Sequence, residues 1–159
     1  RYMLHIHYSG FSIIEIVIAC AIFLSTVAAF VTGNDILRQM SADAADKTEA
    51  ALLVEEGFEA LLLLRDIDWD ANIASLTLET PYHLYWDGDS YELSSNAVVI
   101  EGRYQRQVSF FDVRRDGTGA ISSTGTIDPD TRRVRIEIWR VDPEEMLVVA
   151  EMLVHNDEE

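Results

Sequence analysis

The chain has 159 residues, enough for one domain of ordinary size with its own core plus appendages, and hardly enough for two. Its formal net charge of −16 excludes a sequence-independent grip on nucleic-acid phosphates, which runs on clustered Lys and Arg, and fits a solvated acidic surface. The hydrophobic share of 48% is unevenly placed, much of it in one block near the N-terminus, and the single cysteine, Cys20, lies inside that block. A lone cysteine forms no intramolecular disulfide, and its setting predicts a small buried apolar side chain.

Residues 1–10 carry one formal charge, Arg1, with His5 and His7, and end in Gly10. Residues 11–33 follow with a single charged side chain, Glu15, over a length sufficient for a helix to cross a hydrocarbon core. A secretory signal would place small residues for cleavage after the apolar stretch, whereas Ala28 and Ala29 run on into Phe30 and Val31. An ordinary anchor has no use for a carboxylate, since a charged residue at a membrane-helix centre costs about 2.5 to 3.5 kcal/mol on insertion scales. Glu15 therefore calls for a reason, and a glutamate snorkelling to the interface is one available answer.

The run Gly10-Phe11-Ser12-Ile13-Ile14-Glu15 before an apolar stretch resembles the processing site of bacterial type IV prepilins and pseudopilins. The resemblance implies cleavage between Gly10 and Phe11 by a prepilin peptidase, N-methylation of Phe11, and an assembly role for Glu15. It also implies insertion in the cytoplasmic membrane with the head outside, then extraction by the inner-membrane assembly machinery into a filament of pilin or pseudopilin subunits. Chemistry accounts for the spacing. Cutting before Phe11 would create an ammonium at a helix N-terminus, one turn from Glu15, and in a low-dielectric bundle an unpaired charge of either sign is penalised. Glu15 would compensate that amine within the chain or on the next subunit, and pairing in trans would set the axial register. Two features depart from the family pattern: the leader has only Arg1, or no Lys or Arg if translation starts at Met3, and Thr32 stands where many major pilins have a helix-bending proline. Gly33 beside it is a candidate soft spot. Ala21, Ser25, Ala28 and Thr32 fall on one helix face, where small side chains permit close helix packing.

No proline occurs before Pro81, and residues 34–65 continue with a 3.5-residue beat at Leu37, Met40, Ala44, Lys47, Ala51, Val54, Phe58 and Leu61. Together with the apolar block this predicts one helix of about 55 residues, roughly 80 Å long. A coiled coil would share the beat, but residues 61–64 are apolar all round and need a cover, which favours a sheet packed on the helix.

Beyond Arg65 the chain turns to short β-prone runs at 82–86, 91–94, 97–101, 105–114, 133–141 and 146–155. Asp87-Gly88-Asp89 reads as one hairpin turn, Asp142-Pro143-Glu144-Glu145 as another connection, and Asp128-Pro129-Asp130 as a turn. Val134, Ile136 and Ile138 alternate with Arg135, Glu137 and Trp139, so one face should lie on the helix. The segment 133–156 loosely resembles the closing hairpin of V-type minor pilins. The expected organisation is thus a leader at 1–10, an apolar helix half at 11–33, an amphipathic half at 34–65 and a β-rich head at 66–159, an α+β pilin-like fold.

Asp66, Asp68, Asp70 and Asn72 repeat every second residue like the start of a calcium loop. Ala71 replaces the turn glycine and Thr77 the bidentate glutamate, so these side chains are better candidates for helix capping than for metal ligation. His83 and His155 lack zinc-site spacing, and no nucleophile, phosphate-loop or paired-carboxylate motif stands out. The expectation is a non-enzymatic subunit without a cofactor, a minor pilin or pseudopilin whose partners are like subunits and the lipid bilayer. The rival is an extracytoplasmic enzyme or sensor domain tethered by the helix. Tyr82, Tyr85, Trp86, Tyr91 and Trp139 could line an adhesive surface or serve as packing.

Overall fold

The structure, a computed structural model, describes residues 12–157. The leader and the Gly10-Phe11 junction lie outside the described residues. One α-helix, α1, runs over Ile13–Ile67, and a five-stranded antiparallel sheet follows: β1 (Tyr82–Trp86), β2 (Tyr91–Ser94), β3 (Tyr104–Arg115), β4 (Thr126–Arg140) and β5 (Glu145–His155). By internal contacts the chain forms two compact units, Arg1–Ala44 and Ala45–Glu159, and α1 contributes to both.

α1 starts with one half of a capping box, the bond from the Ser12 amide to the Glu15 side chain. The Ser12 carbonyl accepts the Glu15 and Ile16 amides at 3.0 and 3.3 Å, while the Glu15 carboxylate accepts the Ser12 amide at 3.1 Å. It ends with Arg65 in the last turn and with the Leu64 carbonyl bonded to residues beyond the helix. Leu64 O takes the Asp68 amide at 3.3 Å and the Asn72 side-chain amide at 2.9 Å. A π-helical turn at Asp70–Ala74 follows, braced by the Ala71 amide on Asp68 Oδ1 at 2.8 Å. It carries Ile73 into the core next to Trp69.

Sheet order is β2-β1-β3-β4-β5. The β1–β2 hairpin closes on Asp87, whose Oδ1 accepts the Asp89 and Ser90 amides at 2.8 Å each, with Gly88 at φ 119°. Strands β3 and β4 pair from Tyr104↔Arg140 to Asp112↔Arg132, then shift so that Val113 faces Asp128. Asp128-Pro129-Asp130 is therefore not a turn between strands. It is a bulge within β4, tolerated because Pro129 needs no ladder amide there and Asp128 Oδ1 caps the Asp130 amide at 3.0 Å. Residues 97–101 form no strand either. Ile100 exchanges bonds with Tyr104 across a turn in which Glu101 and Gly102 take φ of 51° and 71°, leading the chain straight into β3.

The core lies between the second half of α1 and one face of the sheet. The helix supplies Ala50, Val54, Gly57, Leu61 and Leu64, and the sheet supplies Leu84, Val108, Phe110, Val134, Ile136, Ile138 and Val154. Of the eight positions in the expected 3.5-residue beat, Val54 and Leu61 are buried, Phe58 is half-buried and the other five are exposed. Ala50 replaces the expected Ala51, which is exposed, and Gly57 replaces Phe58 on the buried seam. Small residues at both points let the sheet approach the helix backbone. Leu37 and Met40 are exposed.

Candidate assembly surfaces

In the first unit the functional candidates sit on a helix whose large apolar side chains are exposed. Ile13, Phe23 and Phe30 are 82%, 66% and 72% exposed, and α1 holds a stretch long and apolar enough to cross a membrane, wholly unburied. Two of its hydroxyls bond back within the helix, Ser25 Oγ donating to Ile22 O at 2.8 Å and Thr26 Oγ1 to Phe23 O at 2.7 Å, which suits an apolar surrounding. Ala21, Ser25, Ala28 and Thr32 are exposed at spacings of four, three and four, hence on one face. Cys20, for which the sequence predicts a buried setting, is exposed. It joins Glu15, Ile16, Ala19, Phe23 and Leu24 in one apolar strip. Glu15 has a local partner in the Ser12 amide, which supplies a structural use for the carboxylate that the sequence reading did not weigh.

In the second unit α1 is held by two polar clusters. Asp46 accepts Arg103 at 2.5 Å, Arg140 at 2.8 Å and the Tyr104 hydroxyl at 3.0 Å, and Glu49 accepts the same hydroxyl at 2.9 Å. The hydrogen bond from Arg140 is the chief reason the Asp46 carboxyl is held below the usual range, and burial, followed by the two carboxylates, pushes the Tyr104 phenol up. One turn further on, Arg106 is 2% exposed. Its guanidinium donates to Leu53 O at 2.9 Å, to Leu84 O at 3.4 Å and to Glu56 at 3.2 Å. Gly57 makes this possible. A carbonyl at position 53 points toward residue 57, and a Cβ there would meet Arg106 Cδ at 3.0 Å and Ile136 Cδ1 at 2.9 Å.

Asp66, Asp68 and Asp70 are not brought together as ligands. Asp66 pairs with Arg65 at 2.6 Å and Asp68 caps Ala71, and among the described residues no group of three or more His, Cys, Asp or Glu is placed to hold a metal ion. His83 is buried, which pushes its imidazole down, and His155 Nδ1 bonds Thr131 Oγ1 at 3.0 Å. The five aromatic residues divide by strand face. Tyr82 stacks edge-on against Phe110 at 6.2 Å, Tyr91 bonds Glu56 at 3.1 Å, Tyr85 bonds Glu92 at 2.9 Å and Trp139 bonds Glu137 at 3.2 Å. Trp86, 54% exposed, leans on Tyr91. The outer sheet face instead centres on Phe111, flanked by the guanidinium groups of Arg133 and Arg135 at 4.8 and 5.1 Å, both paired to Glu151.

The sequence reading missed Arg106 and Gly57. Both carried a signal. Arg106 shares strand parity with Val108 and Phe110, so an inward arginine was legible, and Gly57 is three residues past Val54 on the apolar seam. Compared with known proteins, the chain matches no protein-family model, no curated protein and no solved structure.

Proposed function

We propose that this chain is a structural, non-enzymatic subunit of a type IV pilus or type II secretion-like filament, a minor pilin or pseudopilin. In this reading it enters the membrane as a prepilin, is cut after Gly10, is methylated on Phe11 and is assembled through α1. The observation that carries it is the Gly10-Phe11 to Glu15 run at the head of a single 55-residue helix, with an exposed apolar first half and a second half that serves as the spine of a β-sheet head. The lack of a second cysteine, and Thr32 in place of a proline, favour a minor subunit over a major one. The external machinery, not this chain, supplies the work of extraction.

The Ser12–Glu15 contact favours a second reading, in which α1 is only an anchor and Glu15 only its cap. Glutamine separates the two, because it can cap a helix but cannot neutralise an ammonium. Glu15→Gln should leave membrane insertion intact and reduce incorporation into sheared filaments at least tenfold, as should Glu15→Ala. Normal incorporation of the glutamine variant, measured by immunoblot of sheared filaments, would leave the carboxylate with capping alone.

A further inference from the structure

The two edges of the sheet are unlike. β2, at one edge, has four residues, too short to template much pairing, and short edges are a common protection against association. β5, at the other, has 11 residues, and among the described residues its backbone ladder joins only β4. Its one irregularity, at Leu147, falls near its start, so residues 148–154 pair with β4 in unbroken register and leave a straight outer edge. That edge is apolar, with Val149 and Leu153 each 47% exposed on the outer face. Apart from the bulge at Leu147, the usual guards are missing. It has no lysine and no proline, and the charge of its one interior carboxylate, Glu151, is tied back onto the sheet by Arg133 and Arg135.

Charge defines what fits this edge. From residue 141 to 157 the chain carries five carboxylates and no Lys or Arg. Arg140 holds Glu145, the Arg133–Arg135 pair holds Glu151, and Arg65 holds Asp157. Asp142 and Glu144, both exposed beside the start of β5, have no ion-pair partner among the described residues. A second copy of this acidic chain presents the same carboxylates and is a poor match. We infer that the free edge of β5 is a docking site for an extended apolar strand of a different protein, added antiparallel and bearing Lys or Arg at the C-terminal end that meets Asp142 and Glu144. Main-chain hydrogen bonds would supply the grip, and the basic end the orientation. Arg65 of α1 reaches only the far end of this edge, donating to His155 O at 3.5 Å, and the surface does not rest on the filament reading.

The test uses the full chain in detergent micelles and the fluorescently labelled peptide Val-Thr-Val-Thr-Val-Thr-Lys-Lys. Fluorescence anisotropy should show saturable binding that weakens at least tenfold when the lysines become glutamates. It should weaken as much when the lysines stay and the Val and Thr backbone nitrogens are methylated. Asp142→Asn with Glu144→Gln should reduce affinity several-fold without changing the thermal midpoint, and Val149→Lys with Leu153→Lys should abolish binding. Equal binding of the methylated peptide would reduce the contact to bulk charge attraction and overturn the inference. So would equal binding of the glutamate peptide, or a concentration-dependent dimer lost on Val149→Lys with no peptide binding, which would make the occupant a second copy.

Discussion

Gly57 and Arg106 set how closely the sheet meets α1. A guanidinium is expensive to bury, and this one persists because two backbone carbonyls and Glu56 receive it where a side chain at residue 57 would stand. Gly57→Val should therefore lower stability by about 2 kcal/mol, read as a drop in the thermal midpoint, even though glycine is itself a poor helix former. An unchanged or raised midpoint would mean that the seam is loose. Arg106→Ala should cost more, about 3 kcal/mol, since it opens a cavity and leaves Glu56 without its buried partner. Acid should loosen the bulge in β4. The hydrogen bond from Arg115 chiefly, with that from Thr131, holds the Asp128 carboxyl down at about 2. A depressed carboxyl contributes stability fully above its unfolded value of 3.8 and loses it as pH falls toward 2, because the unfolded chain takes up the proton first. Denaturant titrations between pH 5 and pH 2 should show a decline that Asp128→Asn flattens by roughly 1 kcal/mol, allowing for screening. Identical pH profiles would remove the role given to this pair.

α1 was the most legible element, because absence of proline and a run of helix-favouring residues both act locally. It spans Ile13–Ile67, against the expected close near residue 65. Strands β1 and β2 coincide with the runs that alternation and turn residues marked, and β5 nearly so. What failed were features set by partners far along the chain. Pro129 reads as a turn residue in isolation, yet β3 continues opposite it, and the strand absorbs the extra residues as a bulge. Residues 97–101 are β-prone, but Gly102 turns the chain back before any strand can pair with them. The helix seam slipped for a similar reason. Periodicity locates the stripe, whereas which small residue faces the sheet depends on where Arg106 and Ile136 sit. Phe110→Ala, at the centre of β3, should cost about 3 to 5 kcal/mol, and a loss under 1 kcal/mol would put the core elsewhere.

Taken whole, the molecule combines a head with its own core and an apolar helix segment left uncovered. Neither half alone indicates a filament. An exposed apolar helix suits any membrane anchor, and an α+β head suits many activities. The proposed role depends on the junction before Ser12, where in the filament reading cutting after Gly10 would create a new amine with the Glu15 carboxylate one turn away. Replacing residues 11–33 by an unrelated apolar anchor should abolish filament incorporation while leaving the head folded. A chimera that still incorporated would favour a simple tether. The most direct measurement is mass spectrometry of the N-terminal peptide of the protein purified from its native membrane or filaments. The filament account predicts a chain beginning at Phe11 with one added methyl group on its amine. A working protein that still carries residues upstream of Gly10 would contradict it.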